Sequence, residues 1–261
     1  MTAQSTDFAT LLQTATTTPG TISKAYTTFY GYSLGNQLLA LGQCAARGLE
    51  LGPIATYNKW RELGRQVSKG SKALALCMPV TGKTTDKETG EDATYTRFIF
   101  RNNWFVLAQT EGAEYVAPPL PAWDRARALS TLDISEQPFA ITDGNAQGYA
   151  RERIIAINPV AANPYKTTFH ELAHILLGHT AEGSLSDDDR TPRDLREVEA
   201  EATAMLCCAA LELPGLDDAR GYIQHWYGQG SEIPEASARK IFKTADAILK
   251  AGRPAEKDGD A

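Results

Sequence analysis

The segment Phe169-His170-Glu171-Leu172-Ala173-His174-Ile175-Leu176-Leu177-Gly178-His179 constrains the fold more than any other stretch of the 261-residue chain. Two histidines four positions apart share a face only on an α-helix. There they stand one turn apart, and both imidazoles can reach one metal ion. Apart from His170, Glu171 and His174, every residue from 169 to 177 is apolar. A helix with that surface must be buried on most sides. Gly178 suits its C-terminus. The reading is a helix over 164–178 set in a core and presenting two imidazoles and a carboxylate. A chance HExxH in an ordinary helix is the bland alternative. The apolar flanks weigh against it, as does the placing of three of the chain's four histidines in this one segment.

A catalytic zinc site needs a third protein ligand and an open position. The next helix, expected over 191–212, offers Glu197-Val198-Glu199-Ala200-Glu201. Glu197 and Glu201 share a face, whereas Glu199 is turned about 200° from Glu197. Glu197 then serves as third ligand, and Glu201 accepts the free ring N–H of a liganding histidine. The spacing equally permits the reverse assignment. A solvated acidic face is the competing reading, and the apolar stretch 202–211 that follows argues against it. Glu171 is placed to take a proton from water beside a zinc ion, or beside another divalent transition metal. His179 falls one residue short of the HExxHxxGxxH spacing, so it reads as a helix-ending cation rather than a ligand. Tyr165, Tyr222, His225 and Tyr227 are candidates for stabilising an oxyanion, and sequence does not choose among them.

Ala117-Pro118-Pro119-Leu120-Pro121 fits neither a helix interior nor a central strand. It divides the chain into domains over 1–116 and 122–252, with a frayed polar tail beyond. With 43% hydrophobic and 22% charged residues, both parts have the composition of folded soluble protein. The net charge of −6 conceals an asymmetry. Residues 1–112 carry 11 Lys and Arg against 8 Asp and Glu, and residues 113–261 carry 15 against 24. The acidic total therefore does not exclude nucleic acid as a partner of the first part. The four cysteines show no metal-binding spacing, and the adjacent Cys207 and Cys208 read as buried. No secretory pattern and no apolar run of about 18 residues occurs, so the expectation is a reduced, cytoplasmic setting and no membrane.

The fold class expected is α+β. A small α+β domain is joined by the Pro-rich linker to a mostly helical one. In the first, a short helix precedes a Thr-rich loop over 14–21, helices cover 34–47 and 57–63, and strands over 73–80 and 95–107 flank a polar loop over 81–92. In the second, a helix over 123–132 and strands over 139–142 and 153–157 precede helices over 164–178, 191–212, 216–228 and 234–251.

The stretch from Tyr57 to Lys72 interleaves five cations and two aromatics with a single acid. Cations follow phosphates and aromatic faces stack on unpaired bases, so single-stranded nucleic acid is a candidate ligand. Tyr26, Phe29, Tyr30 and Tyr32 lie nearby in sequence. Tyr95, Arg97, Phe98, Phe100 and Arg101 occupy a strand candidate. The plainer reading is an amphipathic helix and hairpin with solvated lysines.

Four stretches, in this order and spacing, resemble the N-terminal domain of ArdC-type antirestriction proteins. They are Tyr32-Ser33-Leu34-Gly35-Asn36-Gln37-Leu38-Leu39, Thr56-Tyr57-Asn58-Lys59-Trp60, Gly64-Arg65-Gln66-Val67-Ser68-Lys69-Gly70-Ser71-Lys72 and Gln109-Thr110-Glu111-Gly112. The C-terminal half is similar to the zincin domain of ImmA/IrrE-like peptidases, where the helix after HExxH holds the third ligand. That pattern falls here on Glu197, with Glu201 in the second position. The closing run reads Glu-Val-Glu-Ala-Glu where the family more usually has Glu-Glu-Leu-x-Ala-Glu. The resemblance implies a protein of plasmids and phages that protects incoming DNA from restriction. It implies single-stranded DNA binding through Tyr32, Asn36, Tyr57, Lys59, Trp60, Arg65, Lys69 and Lys72, and a zinc endopeptidase site acting on an unknown protein substrate. Two alternatives go with it: a non-proteolytic DNA-binding factor whose metal is structural or vestigial, and a regulatory peptidase that cleaves a repressor.

Overall fold

A computed structural model describes residues 7–85, 92–140, 145–180, 192–228 and 230–254. The first part of the chain forms α1 (Phe8–Thr17), α2 (Thr21–Phe29), α3 (Leu34–Arg47), β1 (Ile54–Thr56), α4 (Tyr57–Glu62), β2 (Arg65–Val67), β3 (Leu74–Thr85), β4 (Asp92–Val106) and β5 (Thr110–Gly112). The second forms α5 (Arg125–Thr131), β6 (Ser135–Glu136), β7 (Gly148–Arg151), β8 (Ile154–Ile157), α6 (Pro164–Leu176), α7 (Arg193–Ala210), α8 (Leu216–Gly228) and α9 (Glu235–Ala251). The fold is mixed α+β, with a largely helical C-terminal part. No helix among the described residues is long and apolar enough to cross a membrane.

The chain resolves into two compact units. One contains Thr28–Tyr32 and Asn36–Pro118. Its sheet has the order β1-β4-β3, and β2 pairs with β5 in a separate ribbon. The outer edge of β3 is covered by two amides from α3. Asn36 exchanges hydrogen bonds with the backbone of Cys77 (2.8 and 2.9 Å), and Gln43 does the same with Ala75 (2.8 and 2.9 Å). Seven residues apart, the two lie on one helical face and satisfy an edge that would otherwise invite pairing. The β3–β4 ladder runs from Leu74↔Trp104 out to Thr85↔Asp92, so the strands extend well into the segment expected as a loop. Thr81, Thr94 and Thr96 are good strand formers in an arm solvated on both faces, and their polarity imitates a loop. Residues 86–91 of that expected loop lie outside the described residues.

The other unit holds the described residues of Met1–Thr27, Ser33–Gly35 and Pro119–Ala261. Every residue of α7 from Val198 to Ala210 is buried, and α6, α8 and α9 pack around it. Residues 7–27 fold here and not with the domain that the linker position delimits over 1–116. Phe8 meets Phe242 edge-on at 5.9 Å, Ala9 N–H donates to Glu235 (2.9 Å), and Ser23 Oγ donates to Glu212 (2.5 Å). These partners lie some 190–230 residues downstream, where no local signal reaches. The unit's small sheet has the order β6-β8-β7, with β6 parallel and β7 antiparallel to β8. Phe139 and Ala140 are not in a strand. Ile141 and Thr142, the remainder of that expected strand, lie outside the described residues, as does the polar tail from 255.

Candidate functional site

Helix α6 opens with Pro164 in its first turn and buries Phe169, Leu172, Ala173 and Ile175. That packing fixes the helix rotation and turns His170 and His174 toward α7. Their Nε2 atoms lie 3.1 Å apart, and Glu197 Oε2 stands 3.4 and 3.6 Å from them. These three residues form the one group of potential metal ligands among the described residues. Four tetrahedral ligands at about 2.0–2.1 Å from a zinc-sized ion stand about 3.3 Å from one another. The triangle therefore has the size a divalent metal requires, and its two imidazoles and carboxylate suit such an ion.

The remaining ring nitrogens are engaged. His170 Nδ1 lies 3.1 Å from Glu201 Oε2, and the other oxygen of Glu201 is 2.6 Å from Lys166 Nζ. Burial works against a charge on His170, yet the Glu197 and Glu201 carboxylates outweigh it and bring the imidazole up to about 9. Hydrogen bonds from His170 and His174 hold the Glu197 carboxyl well below the usual range. Glu201 is also lowered, because His170 and Lys166 together overcome its burial. Of the two carboxylates that the spacing offers, Glu197 lies in the group of potential metal ligands and Glu201 lies behind His170.

Glu171 is buried, and burial pushes its carboxyl above the usual range. The backbone of β7 crosses close to it. A side chain at Gly148 would bring a Cβ within 3.2 Å of Glu171 Oε1 and 2.7 Å of Thr167 Cγ2. Among the oxyanion candidates, Tyr165 packs on Trp123 and Phe169. Tyr222 is 42% exposed on α8, and partial burial, with the charges of Glu197, Asp194 and Glu201 adding to it, raises its phenol above the usual range. Tyr227 is raised to about 12 by burial, and His225 is exposed.

Two residues beside the site, Lys166 and Glu199, escape sequence reading, and so does the contact made by His179. His179 lies outside the group of potential metal ligands. Its Nδ1 lies 3.0 Å from His174 Nδ1, and its Nε2 lies 3.0 Å from Glu199 Oε2. The available signal was Gly178. At φ 79° it ends α6 in the left-handed turn that folds the second residue beyond the helix end back over the last helical turn.

The residues proposed to contact DNA separate into two groups. Trp60 is 1% exposed, donates from Nε1 to Phe105 O (2.9 Å) and meets Tyr115 edge-on. Asn36 clamps β3, as described. The Tyr32 hydroxyl donates to Ile54 O (3.0 Å) and is raised to about 12 by burial. Arg65 is spent on Thr110 and the carbonyl of Ala113. All four are engaged within the fold; Trp60 and Asn36 are buried and so turned away from any nucleotide, whereas Tyr32 and Arg65 are half-buried. Tyr57, Lys69 and Lys72 are exposed, and Lys59 is half-buried beside Glu62 (3.8 Å). Tyr57 and Lys69 line an open groove of about 650 Å³ together with Gln66, Val67, Ser68, Ser71, Phe105 and Glu111. The arm adds Tyr95 and Phe98, 46% and 61% exposed, with Arg97 and Arg101.

Residues 10–105 match the family described as the N-terminal domain of anti-restriction factor ArdC, and residues 130–214 match the IrrE N-terminal-like domain. No curated protein matches the chain significantly. The fold is similar to two crystal structures of the antirestriction ArdC protein from the R388 plasmid. The metal-free one has a TM-score of 0.54 and 24% identity, covering 94% of this chain and 93% of that one. The Mn(II)-bound one has a TM-score of 0.54 and 18% identity, covering 94% and 96%. Residues 10–105 thus carry an ArdC N-terminal domain and residues 130–214 an IrrE-like domain, on a fold similar to that of the R388 ArdC protein.

Proposed function

We propose that this ArdC-like antirestriction protein binds single-stranded DNA through its N-terminal unit and hydrolyses a peptide bond at the metal centre of the other. The observation that carries the hydrolytic reading is the convergence of His170 Nε2, His174 Nε2 and Glu197 Oε2 within 3.1–3.6 Å, next to the buried Glu171. A divalent metal held by these three residues, zinc or the manganese found in the R388 protein, would supply Lewis acidity toward water and a carbonyl. Glu171 takes the proton from water and delivers it to the leaving amine. Its raised carboxyl pKa brings it nearer the range in which a base can also act as an acid. Edge strand β7 beside Glu171 is placed to align an extended peptide by backbone pairing. Tyr222, a partly exposed phenol within electrostatic range of Glu197, is taken as the group that stabilises the developing oxyanion.

On the N-terminal unit, Tyr57 offers a face for a base, while Lys69, Lys72 and the arm's Arg97 and Arg101 follow phosphates. The test pairs Glu171→Gln with the wild type in metal-loaded peptide cleavage and in protection of DNA from restriction. Loss of both activities with metal retained supports the reading. Undiminished cleavage removes Glu171 as base. Lost cleavage with undiminished protection means that protection does not depend on proteolysis, and an absence of cleavage in the wild type as well makes the protein a non-proteolytic antirestriction factor.

A further inference from the structure

We propose that His179, backed by Glu199, is a positioning residue that fixes the tautomer and orientation of His174 for metal binding. The inference rests on the reading that His170, His174 and Glu197 hold a divalent metal.

Backbone geometry brings the two rings together. His179 N–H donates to His174 O (2.8 Å), and Gly178 N–H donates to Ile175 O (3.1 Å). This pair of bonds, with Gly178 at φ 79°, is the Schellman ending of a helix. In that ending the residue after the glycine lies over the residue five before it, and here both are histidines. Their rings meet at 5.1 Å between centroids and 65° between planes, with the two Nδ1 atoms 3.0 Å apart. Beyond them, His179 Nε2 faces Glu199 Oε2 at 3.0 Å, with the two side chains only 7% and 1% exposed.

The hydrogen-bond inventory allows one arrangement when His174 is a ligand. Its Nε2 lone pair points at the metal, so the proton sits on Nδ1. His179 Nδ1 must then accept, so its proton sits on Nε2 and is donated to the Glu199 carboxylate. A carboxylate as buried as Glu199 needs such a donor, and this one fixes which nitrogen of His179 is protonated. His170 receives its orientation directly from Glu201. His174 receives it at one remove, from an imidazole that a carboxylate holds in the accepting state. The three glutamates of the α7 run thus divide between the metal site itself (Glu197), His170 (Glu201) and His174 through His179 (Glu199).

The test uses the full chain and Co(II) as both ligand and spectroscopic probe, with affinity measured against a competing chelator. His179→Phe keeps the backbone N–H and the aromatic packing but has no acceptor, whereas His179→Asn places an amide oxygen near the Nδ1 position. Glu199→Gln can donate to His179 and so turn both Nδ1 protons toward each other. Expected are an affinity loss of about 10–100-fold with an altered visible spectrum for His179→Phe and Glu199→Gln, and recovery to within about threefold of wild type for His179→Asn. A folded His179→Phe with wild-type affinity and spectrum overturns the inference. Should that variant not fold, Glu199→Gln at wild-type affinity overturns it instead. Wild-type affinity in His170→Ala and His174→Ala removes the underlying metal reading. The inference alone fails when those two lose the metal and His179→Phe does not.

Discussion

Lys166 Nζ lies 2.6 Å from Glu201 Oε1 and one helical turn before His170, whose Nδ1 faces the other oxygen of the same carboxylate at 3.1 Å. A cation on α6 and a carboxylate on α7 thereby clamp a histidine of α6 from behind. Both partners are largely buried, at 20% and 10% exposure of the side chains. Removing one leaves the other charge poorly compensated, which is more costly than removing both. Lys166→Met is expected to destabilise the metal-free protein by about 1–3 kcal/mol, below the figure for a fully buried pair. Lys166→Met/Glu201→Gln should be less destabilised than the two single effects added together. Urea unfolding of the four proteins checks this, and strict additivity would mean the pair is not coupled.

Much of this centre is legible in the sequence because it obeys helix periodicity. His170 and His174 are one turn apart, Glu197 and Glu201 likewise, and the apolar remainder of each helix states that both are packed. Lys166 obeys the same period but looks like any surface lysine until α7 is placed against it. Glu199 faces away from Glu197 on α7, and it comes beside the site only through a residue beyond the end of another helix. Trp60 shows the opposite failure. Its cationic neighbours point to a ligand surface, yet α4 is short and its one large apolar residue is needed to fill the core. The three-residue strands β1, β2 and β5 are too short for alternation to register.

The metal-free protein should be most stable in mildly acidic solution. His170 titrates in the folded state at about 9 rather than 6.5, so its contribution is complete below about 6.5 and is lost as the pH rises through 9. Glu197 and Glu201 are lowered from 4.5, so their contribution is present above about 4.5 and fades as the pH falls below it. Thermal unfolding across pH 4–10 should show the alkaline decline in wild type, a much shallower one in His170→Gln, and its suppression by saturating divalent metal. An alkaline decline of equal size in His170→Gln would assign it to other groups.

Asp246 on α9 accepts a hydrogen bond from Leu34 N–H (2.6 Å), and loss of hydration raises its carboxyl to about 7 despite that bond. The folded state then binds a proton that the unfolded chain has released, so stability falls as the pH rises from about 4 to 7. Asp246→Asn retains the acceptor and removes the charge. It is expected to flatten this slope and to gain about 2 kcal/mol above pH 7, discounted from the full linkage value because the carboxyl keeps some water contact. Denaturant midpoints at pH 5 and pH 8 provide the comparison.

In the N-terminal unit, Tyr57 and Trp60 lie three residues apart with opposite roles. Trp60→Ala empties a core position and should cost about 3–5 kcal/mol. Tyr57 is 37% exposed at the groove, so Tyr57→Ala should alter stability by less than about 0.5 kcal/mol. Fluorescence anisotropy with a single-stranded oligonucleotide should show weaker binding for Tyr57→Ala, with a salt slope close to that of wild type. Lys69→Ala and Lys72→Ala should each reduce the slope by about 0.7. Wild-type affinity in all three variants would move the DNA site away from the groove.

Gly148 on β7 leaves room for Glu171. A Cβ there would stand 2.7 Å from Thr167 Cγ2, 3.1 Å from Ala156 O and 3.2 Å from Glu171 Oε1. The nearest of these belongs to a side chain on the same helix as Glu171, and the carbonyl on β8 cannot retreat without breaking the strand pairing. Relief therefore comes by displacing β7 outward or by turning Glu171 aside. Either disturbs Glu171, the proposed base, without touching His170, His174 or Glu197. Gly148→Ala should retain Co(II) affinity within about threefold, because His170, His174 and Glu197 keep their supports, while peptide cleavage falls by about 100-fold, as a displacement of about 1 Å can produce. Parallel measurement of affinity and turnover separates the two effects. If affinity and cleavage fall together, β7 supports the whole centre; if neither changes, the strand is free to yield and does not position Glu171.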